Sequence, residues 1–169
     1  IAMIFVMFVM GVNQGMQPIA GYNYGSQQID RLLRVVKLSM LAATSIMTTG
    51  WLIGMFLPYY CARMFTTDPV LIEKAIDGMR INMLFFPVIG FQMVITNFFQ
   101  CIGKVKVSIF LSLSRQLLFL LPLLFILPKF FKVNGVWASL PCADFIASLV
   151  ASTIMIIYMR RFNRIYSSK

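Results

Sequence analysis

The segment QGMQPIAGYNYG, residues 14–25, closes an apolar run that begins at residue 1. It places two glutamines, a proline, three glycines and two tyrosines in a stretch otherwise apolar enough to cross a bilayer. Within hydrocarbon an unpartnered amide is costly, and helix-breaking residues persist only where protein or a water-filled cavity satisfies the backbone. We therefore expect this segment to face a protein interior or a polar cavity.

Composition indicates an integral membrane protein. Hydrophobic residues make up 60% of the chain and charged residues 12%, and the mean hydropathy is +0.84. Soluble domains have roughly 45–50% and 25% of these residues. The strict alternation of a membrane β-barrel is absent. The predicted fold is all-α, with five transmembrane helices of near the roughly 20 residues that a span needs, at about 1–24, 38–60, 79–102, 107–128 and 135–158.

The chain opens at Ile1 within an apolar run. It has no initiator methionine, basic leader or small-residue cleavage site there, so the run does not resemble a signal peptide. An odd number of spans that starts inside an apolar run leads us to expect a fragment, with further sequence on the N-terminal side.

The net charge of +10 comes from basic residues dispersed among the connecting segments. They do not gather with aromatics as a nucleic-acid surface would, so no nucleic-acid partner is predicted. The positive-inside rule places the more basic side in the cytoplasm. We therefore predict a multi-pass protein of the plasma membrane with a cytoplasmic C-terminus and Ile1 outside. The inner set is Arg31, Arg34, Lys37, Lys104, Lys106, Arg160, Arg161, Arg164 and Lys169, and the outer set is Arg63, Lys74, Arg80, Lys129 and Lys132.

The absence of histidine excludes imidazole catalysis, serine-hydrolase triads and His-ligated metals. The three cysteines show neither ligand spacing nor a disulfide pattern. We predict that the protein is not an enzyme and holds no metal. A local signal, Asp68-Pro69, predicts a helix start, because Asp caps free N–H groups and Pro suits the first turn.

Polar residues occupy one face of the third predicted helix. On a wheel of about 100° per residue, Gln92, Thr96, Asn97 and Gln100 share one arc with Met93, and apolar residues fill the other. Four polar groups on one face within a membrane imply partners or water. Two interpretations stay open: a cavity lining, or hydrogen bonds that hold helices together.

Arg115 and Asp144 are the charges deepest within the apolar runs. At 1.5 Å per residue they lie roughly 12 Å and 16 Å from the cytoplasmic face, a difference of about 4 Å. Adjacent antiparallel helices could pair them, and pairing would neutralise two charges that are each costly in lipid. We predict an intramembrane ion pair, structural or broken during transport. The alternative is that Asp144 itself binds a proton or cation.

Four runs in order resemble the C-terminal half of the multidrug and toxic compound extrusion (MATE) transporters. They are GVNQGMQPIAGYNYGS at 11–26, GMRINMLFFPVIGFQ at 78–92, NFFQCIGKVKVSIFLSLSRQ at 97–116 and NGVWASLPCADF at 134–145. The resemblance covers essentially the whole chain. It implies the last five of twelve helices, which form most of one six-helix lobe over residues 1–169.

The resemblance implies two lobes around a central cleft and export of cationic or amphipathic organic compounds, coupled to Na⁺ or H⁺ entry. Beside the lipid bilayer and its small substrates, the expected partner is the N-terminal lobe, which is missing from this chain. Some members carry a carboxylate in the tenth helix, but the matching residues 81–102 contain none. We expect the coupling ion to depend on the missing half, and no other cofactor is expected.

Under this resemblance the candidate cavity-lining residues are Gln14, Gln17, Gln92, Thr96, Asn97 and Gln100. Bends useful for alternating access, or static kinks, are expected at Pro18, Gly21, Gly25, Pro87 and Pro122.

Two other functions stay open besides a coupled exporter. A lipid-linked oligosaccharide flippase of the same superfamily is disfavoured, because such a cleft should be rich in cations and Arg115 is the only basic residue deep in a span. A non-transporting membrane scaffold is the other.

Overall fold

The computed structural model describes residues 2–166, apart from the side chains of 130–134, 136–137, 161 and 163–166. The described chain is built from helices, which confirms the predicted all-α class. Three of the basic residues counted for topology, Lys132, Arg161 and Arg164, have side chains outside the described set, and Lys169 lies beyond it. The elements are α1 (Ala2–Gly25), α2 (Ile29–Phe56), α3 (Pro58–Arg63), α4 (Pro69–Asn82), α5 (Phe86–Cys101), α6 (Val105–Leu113), a π-helical segment (Ser114–Leu120) and α7 (Leu121–Tyr166).

Four stretches of the described chain are long and apolar enough to cross a membrane. Helices α4 and α5 meet the same criterion together, bent by 49° at the break between them. With this pair taken as one broken span, the described chain has five candidate spans. The four unbroken ones are Ala2–Gly25, Ile29–Phe56, Val105–Lys129 and Ala138–Arg160.

The second helix is longer at its start than hydropathy suggested. The predicted range was 38–60, whereas α2 begins at Ile29 and ends at Phe56. Its 28 residues extend about 42 Å at 1.5 Å each, beyond a hydrocarbon core of about 30 Å. The first turns therefore lie outside the core, where their arginines lower hydropathy without breaking the helix. Pro58, which lacks an amide hydrogen, begins α3.

The third predicted helix, 79–102, is divided. Helix α4 ends at Asn82 and α5 starts at Phe86, with Pro87 in its first turn. Proline has no amide hydrogen with which to continue the preceding helix and suits the first turn of a new one, which accounts for the break. The predicted start at Asp68-Pro69 is confirmed, since Asp68 Oδ1 accepts a hydrogen bond of 2.9 Å from the Val70 amide.

The fourth predicted helix, 107–128, changes its winding midway. Residues 114–120 form a π-helix, which bonds each N–H to the carbonyl five residues earlier instead of four. A wheel of 100° per residue assumes α-helix throughout, so it cannot detect this change. Pro122 lies two residues after the end of the π segment, within the first turn of α7.

Helix α7 folds back on itself. Ser139 Oγ donates to Leu123 O at 3.2 Å, although 16 residues of straight helix would separate the two by about 24 Å. Gly135 is buried against the Leu127 carbonyl, where a Cβ would not fit. The two arms of α7, 121–129 and 138–160, therefore run antiparallel. The first arm corresponds to the C-terminal end of the fourth predicted helix, and the second arm corresponds to the fifth predicted helix.

Helix α5 lies at the centre of the bundle and contacts α1, α2, α6 and α7. Phe98 and Phe99 are almost fully buried within it. Its close approach to α2 depends on Gly90, because a Cβ there would lie 2.7 Å from the Ala43 carbonyl oxygen. Because the atom that such a Cβ would meet belongs to the backbone of α2, it cannot move aside as a flexible side chain would.

We expect Gly90→Ala to destabilise the protein by about 1–3 kcal/mol, the usual cost of overpacking. Gly11→Ala is the matched control, since it lies in a helix and nothing is within 4 Å of its added Cβ. Thermal unfolding in detergent, followed by size-exclusion fluorescence, measures both. Equal midpoints for the two variants would contradict the role given to Gly90.

Candidate functional site

The polar faces of four elements form the three walls of a cavity of about 470 Å³. Helix α1 supplies one wall, α5 the second, and α6 with the π segment the third. All six residues predicted to line a cavity lie here. The lining residues are Met10, Asn13, Gln14, Gln17, Gln92, Met93, Thr96, Asn97, Gln100, Leu111, Ser112, Arg115 and Gln116.

Helical spacing brings these side chains to one place. The α1 residues Met10, Asn13, Gln14 and Gln17 follow the i, i+3, i+4, i+7 pattern of one helix face. In α5 the same spacing runs from Met93 through Thr96 and Asn97 to Gln100, with Gln92 beside it. Asn13 and Met10 were not singled out from the sequence, although extending the same pattern backwards from Gln14 and Gln17 finds both.

Two hydrogen bonds join α1 to α5 beside the cavity. Gln17 Nε2 donates to Asn97 Oδ1 at 2.8 Å, and Asn97 Nδ2 donates to the backbone oxygen of Asn13 at 3.2 Å. Gln17 and Asn97 thus line the cavity and also connect the helices. Both interpretations that the sequence left open for the polar face of the third predicted helix therefore apply to Asn97.

The cavity wall contains two buried amide oxygens with no hydrogen-bond partner among the described residues. They are Asn13 Oδ1 and Gln92 Oε1. A buried acceptor without a partner costs free energy until a donor reaches it. Both oxygens are buried, so a water molecule or a donor on an entering molecule would reach them only after neighbouring side chains shift.

The structure brings Arg115 and Asp144 together. Arg115 Nε donates to Asp144 Oδ1 at 2.6 Å, and the exposed fractions of the side chains are 36% and 10%. Arg115 belongs to the π segment and lines the cavity, whereas Asp144 lies on the second arm of α7. The ion pair therefore connects the cavity wall to α7 and neutralises the only charged residue among the described cavity-lining set.

The residues expected to bend helices have different placements. Helix α1 continues through Pro18 and ends at Gly25. Gly21 faces α5, and a Cβ added at Gly21 would lie 4.0 Å from the backbone oxygen of Cys101. Pro87 marks the break before α5, and Pro122 follows the π segment.

Within residues 2–166, no group of three or more His, Cys, Asp or Glu side chains is arranged to hold a metal. Amides, hydroxyls, thioethers, Leu111 and the paired Arg115 line the cavity.

The family model MatE matches residues 1–126. The chain belongs to the MatE family. This confirms the resemblance seen in the four sequence runs. MATE transporters are multi-pass membrane proteins, and the chain's apolar helices agree with that.

Named relatives are export proteins and transporters, not enzymes. The multidrug export protein MepA of Staphylococcus aureus (strain bovine RF122 / ET3-1) is 24% identical over 155 residues, covering 92% of this chain and 34% of MepA. MepA of Staphylococcus haemolyticus (strain JCSC1435) is 23% identical over 163 residues, covering 96% of this chain and 35% of its own length. The chain thus spans about a third of these relatives.

Solved MATE structures share the fold. The MATE multidrug transporter DinF-BH superposes with a TM-score of 0.85 at 38% identity, over 94% of this chain and 35% of DinF-BH. An inward-facing MATE family transporter of the MOP superfamily superposes with a TM-score of 0.88 at 19% identity, over 96% of this chain and 38% of that one. The arrangement of helices is therefore that of part of a MATE lobe.

We expect Arg115→Asp and Asp144→Arg, made singly, to lower the yield of folded protein severalfold, because each places two like charges together within the membrane. The double exchange should restore much of the yield, since the pair is rebuilt with reversed polarity. Lys104→Asp, in the exposed turn after α5, is the charge-matched control. Size-exclusion yields in detergent measure the effect. A double exchange no better than the singles would contradict a structural pair.

Proposed function

We propose that the protein to which this chain belongs exports small cationic or amphipathic organic compounds across the plasma membrane by alternating access, in exchange for Na⁺ or H⁺. The observation that carries this proposal is the cavity between α1, α5 and α6, in a chain of the MatE family. The proposal extends to the whole protein, of which this chain supplies part of one lobe.

The cavity's size and lining support binding of small organic molecules. Its volume of about 470 Å³ falls within the range of about 300–1,000 Å³ typical of small-molecule sites. Met10 and Met93 supply flexible thioethers that adapt to different apolar shapes. The amides supply hydrogen bonds that orient a ligand without a fixed charge. Such a surface favours varied amphipathic compounds over a single strongly charged one.

The coupling ion is proposed to bind mainly outside this chain. No carboxylate is among the described residues that line the cavity, and Asp144 is engaged by Arg115. A coupling carboxylate is therefore expected in the N-terminal lobe, the other proposed wall of the cleft. That the coupling ion is Na⁺ or H⁺ is proposed from what is expected of the family alone.

A cytoplasmic C-terminus is proposed on the distribution of charge. The Tyr24 and Phe162 rings lie 6.2 Å apart, and Gly21 faces Cys101, so the ends of α1, α5 and α7 lie on one side of the bundle. That side carries the larger set of basic residues predicted to face inward.

A flippase for lipid-linked oligosaccharides is less well supported. Its anionic substrate calls for several cations in the cleft, yet Arg115 is the one charge among the described cavity-lining residues, and it is paired. A scaffold without transport activity has no need of a cavity lined by polar side chains within the membrane.

We expect cells that carry the intact gene to accumulate less of a cationic dye such as ethidium than a deletion strain does. Collapse of the Na⁺ and H⁺ gradients should remove the difference. Unchanged accumulation of several dyes in the deletion strain would contradict export.

We expect the double variant Gln14→Ala/Gln100→Ala to raise the apparent KM for dye efflux severalfold with normal expression. Both side chains line the cavity and are exposed, and no hydrogen bond from either is found among the described residues, so truncation should not disturb packing. Gln28→Ala, an exposed glutamine outside the cavity, is the matched control. Equal KM values for the two variants would argue against this cavity as the substrate site.

A further inference from the structure

A second concave surface lies apart from the cavity, between the first turns of α2 and the last turns of α7. We call it the α2–α7 groove. It has a volume of about 650 Å³ and shares no lining residue with the cavity. The lining residues are Leu33, Arg34, Val36, Lys37, Met40, Met155, Ile156, Met159 and Arg160.

Three cations line the α2–α7 groove, and no carboxylate is among its described lining residues. Arg34, Lys37 and Arg160 are all exposed. The ion pair found in the described part of the chain is Arg115–Asp144, so no described carboxylate lies within salt-bridge distance of these cations. Among the described residues no salt bridge neutralises their charge, which is complementary to an anion.

The rest of the groove is apolar. Val36 and Met155 form its buried floor, with exposed fractions of 2% and 6%. Met40 and Met159 are half-buried, and Ile156 is exposed. Methionine side chains are flexible and fit irregular apolar shapes. An inorganic anion would leave this apolar surface uncovered, whereas a molecule with an anionic head and an apolar tail would cover it.

The cations lie where a bilayer has its headgroups. Counting about 20 residues back from Phe56, the inner boundary of the hydrocarbon core falls near Lys37. Arg34 lies one turn further out, and Arg160 is the last residue of the candidate span Ala138–Arg160. Met40, Met155 and Ile156 lie deeper than the cations, at the level of acyl chains. The α2–α7 groove is thus charged at the level of the lipid headgroups and apolar at the level of the acyl chains, as a phospholipid is.

We propose that the α2–α7 groove binds an anionic phospholipid. Arg34, Lys37 and Arg160 would hold the headgroup phosphate, and an acyl chain would lie against Met40, Met155 and Ile156. Guanidinium groups bind phosphate oxygens with two parallel hydrogen bonds, and basic pockets between membrane helices bind anionic headgroups. The bound lipid would bridge α2 and α7. This site is independent of the transport proposal, since it shares no residue with the cavity.

The test uses the protein as its gene encodes it, purified in detergent and titrated with dioleoyl phosphatidylglycerol or dioleoyl phosphatidylcholine under native mass spectrometry. Each cation near an anionic headgroup changes affinity about fivefold, so Arg34→Gln/Lys37→Gln/Arg160→Gln should weaken phosphatidylglycerol binding on the order of 100-fold. Phosphatidylcholine binding should not change. The matched control, Arg31→Gln/Lys104→Gln/Lys106→Gln, removes three charges from the same end of the bundle outside the groove and should change affinity less than twofold.

Equal losses in the two triple variants would overturn the proposal, because they would indicate general surface attraction. Wild-type protein that binds the two lipids equally would also overturn it. Displacement of phosphatidylglycerol by millimolar inorganic phosphate would make a free anion the occupant and contradict a lipid site.

A photoactivatable phosphatidylglycerol with a diazirine on its acyl chain gives a second measurement that requires no variant. Cross-links on peptides that contain Met40 or Met155 are expected. Cross-links confined to other peptides would show that another part of the protein covers the α2–α7 groove, and the proposal would fail.

Discussion

Within hydrocarbon no water is present to bond a polar group, so each amide, hydroxyl and charge of this chain must find a partner in the protein or border a cavity. The structure meets this constraint at several levels. Hydroxyls bond to their own helix, as Thr48 Oγ1 does to the Thr44 oxygen at 2.7 Å. Amides bond between helices, as Gln17 and Asn97 do, and Arg115 and Asp144 form an ion pair. Of the four buried side-chain polar atoms without a partner among the described residues, Asn13 Oδ1 and Gln92 Oε1 belong to residues that line the cavity, whereas Trp51 Nε1 and Ser114 Oγ do not.

Much of this arrangement could be predicted from the sequence, because a membrane makes polar periodicity informative. The six predicted cavity-lining residues surround one cavity, since a polar stripe on each helix can only turn inward. Depth counting from the ends of two runs placed Arg115 and Asp144 near each other, and the structure pairs them. That the six cavity-lining residues contact substrate stays a prediction.

Backbone geometry could be predicted only in part: bends or kinks were expected at Pro87 and Pro122, but not a full break between two helices or a π segment. Residues 83–85 are as apolar as their neighbours, so hydropathy gave no sign that the helix breaks there before Pro87. The π segment at 114–120 was hidden because a helical wheel assumes a constant rotation per residue. The early start of α2 was missed for a different reason. Its first turns extend past the hydrocarbon, and the basic residues there were interpreted as a loop.

The fold-back of α7 also has a consequence for biosynthesis. Gly135 allows the two arms to lie against each other across a short connection, so they can enter the bilayer as a helical hairpin. The Arg115–Asp144 pair joins the second arm to the helix that leads into the first. If each segment left the translocon alone, it would carry an uncompensated charge into lipid. Release of the two as one unit would avoid this barrier, so the order of membrane insertion is already constrained by where the two charges meet.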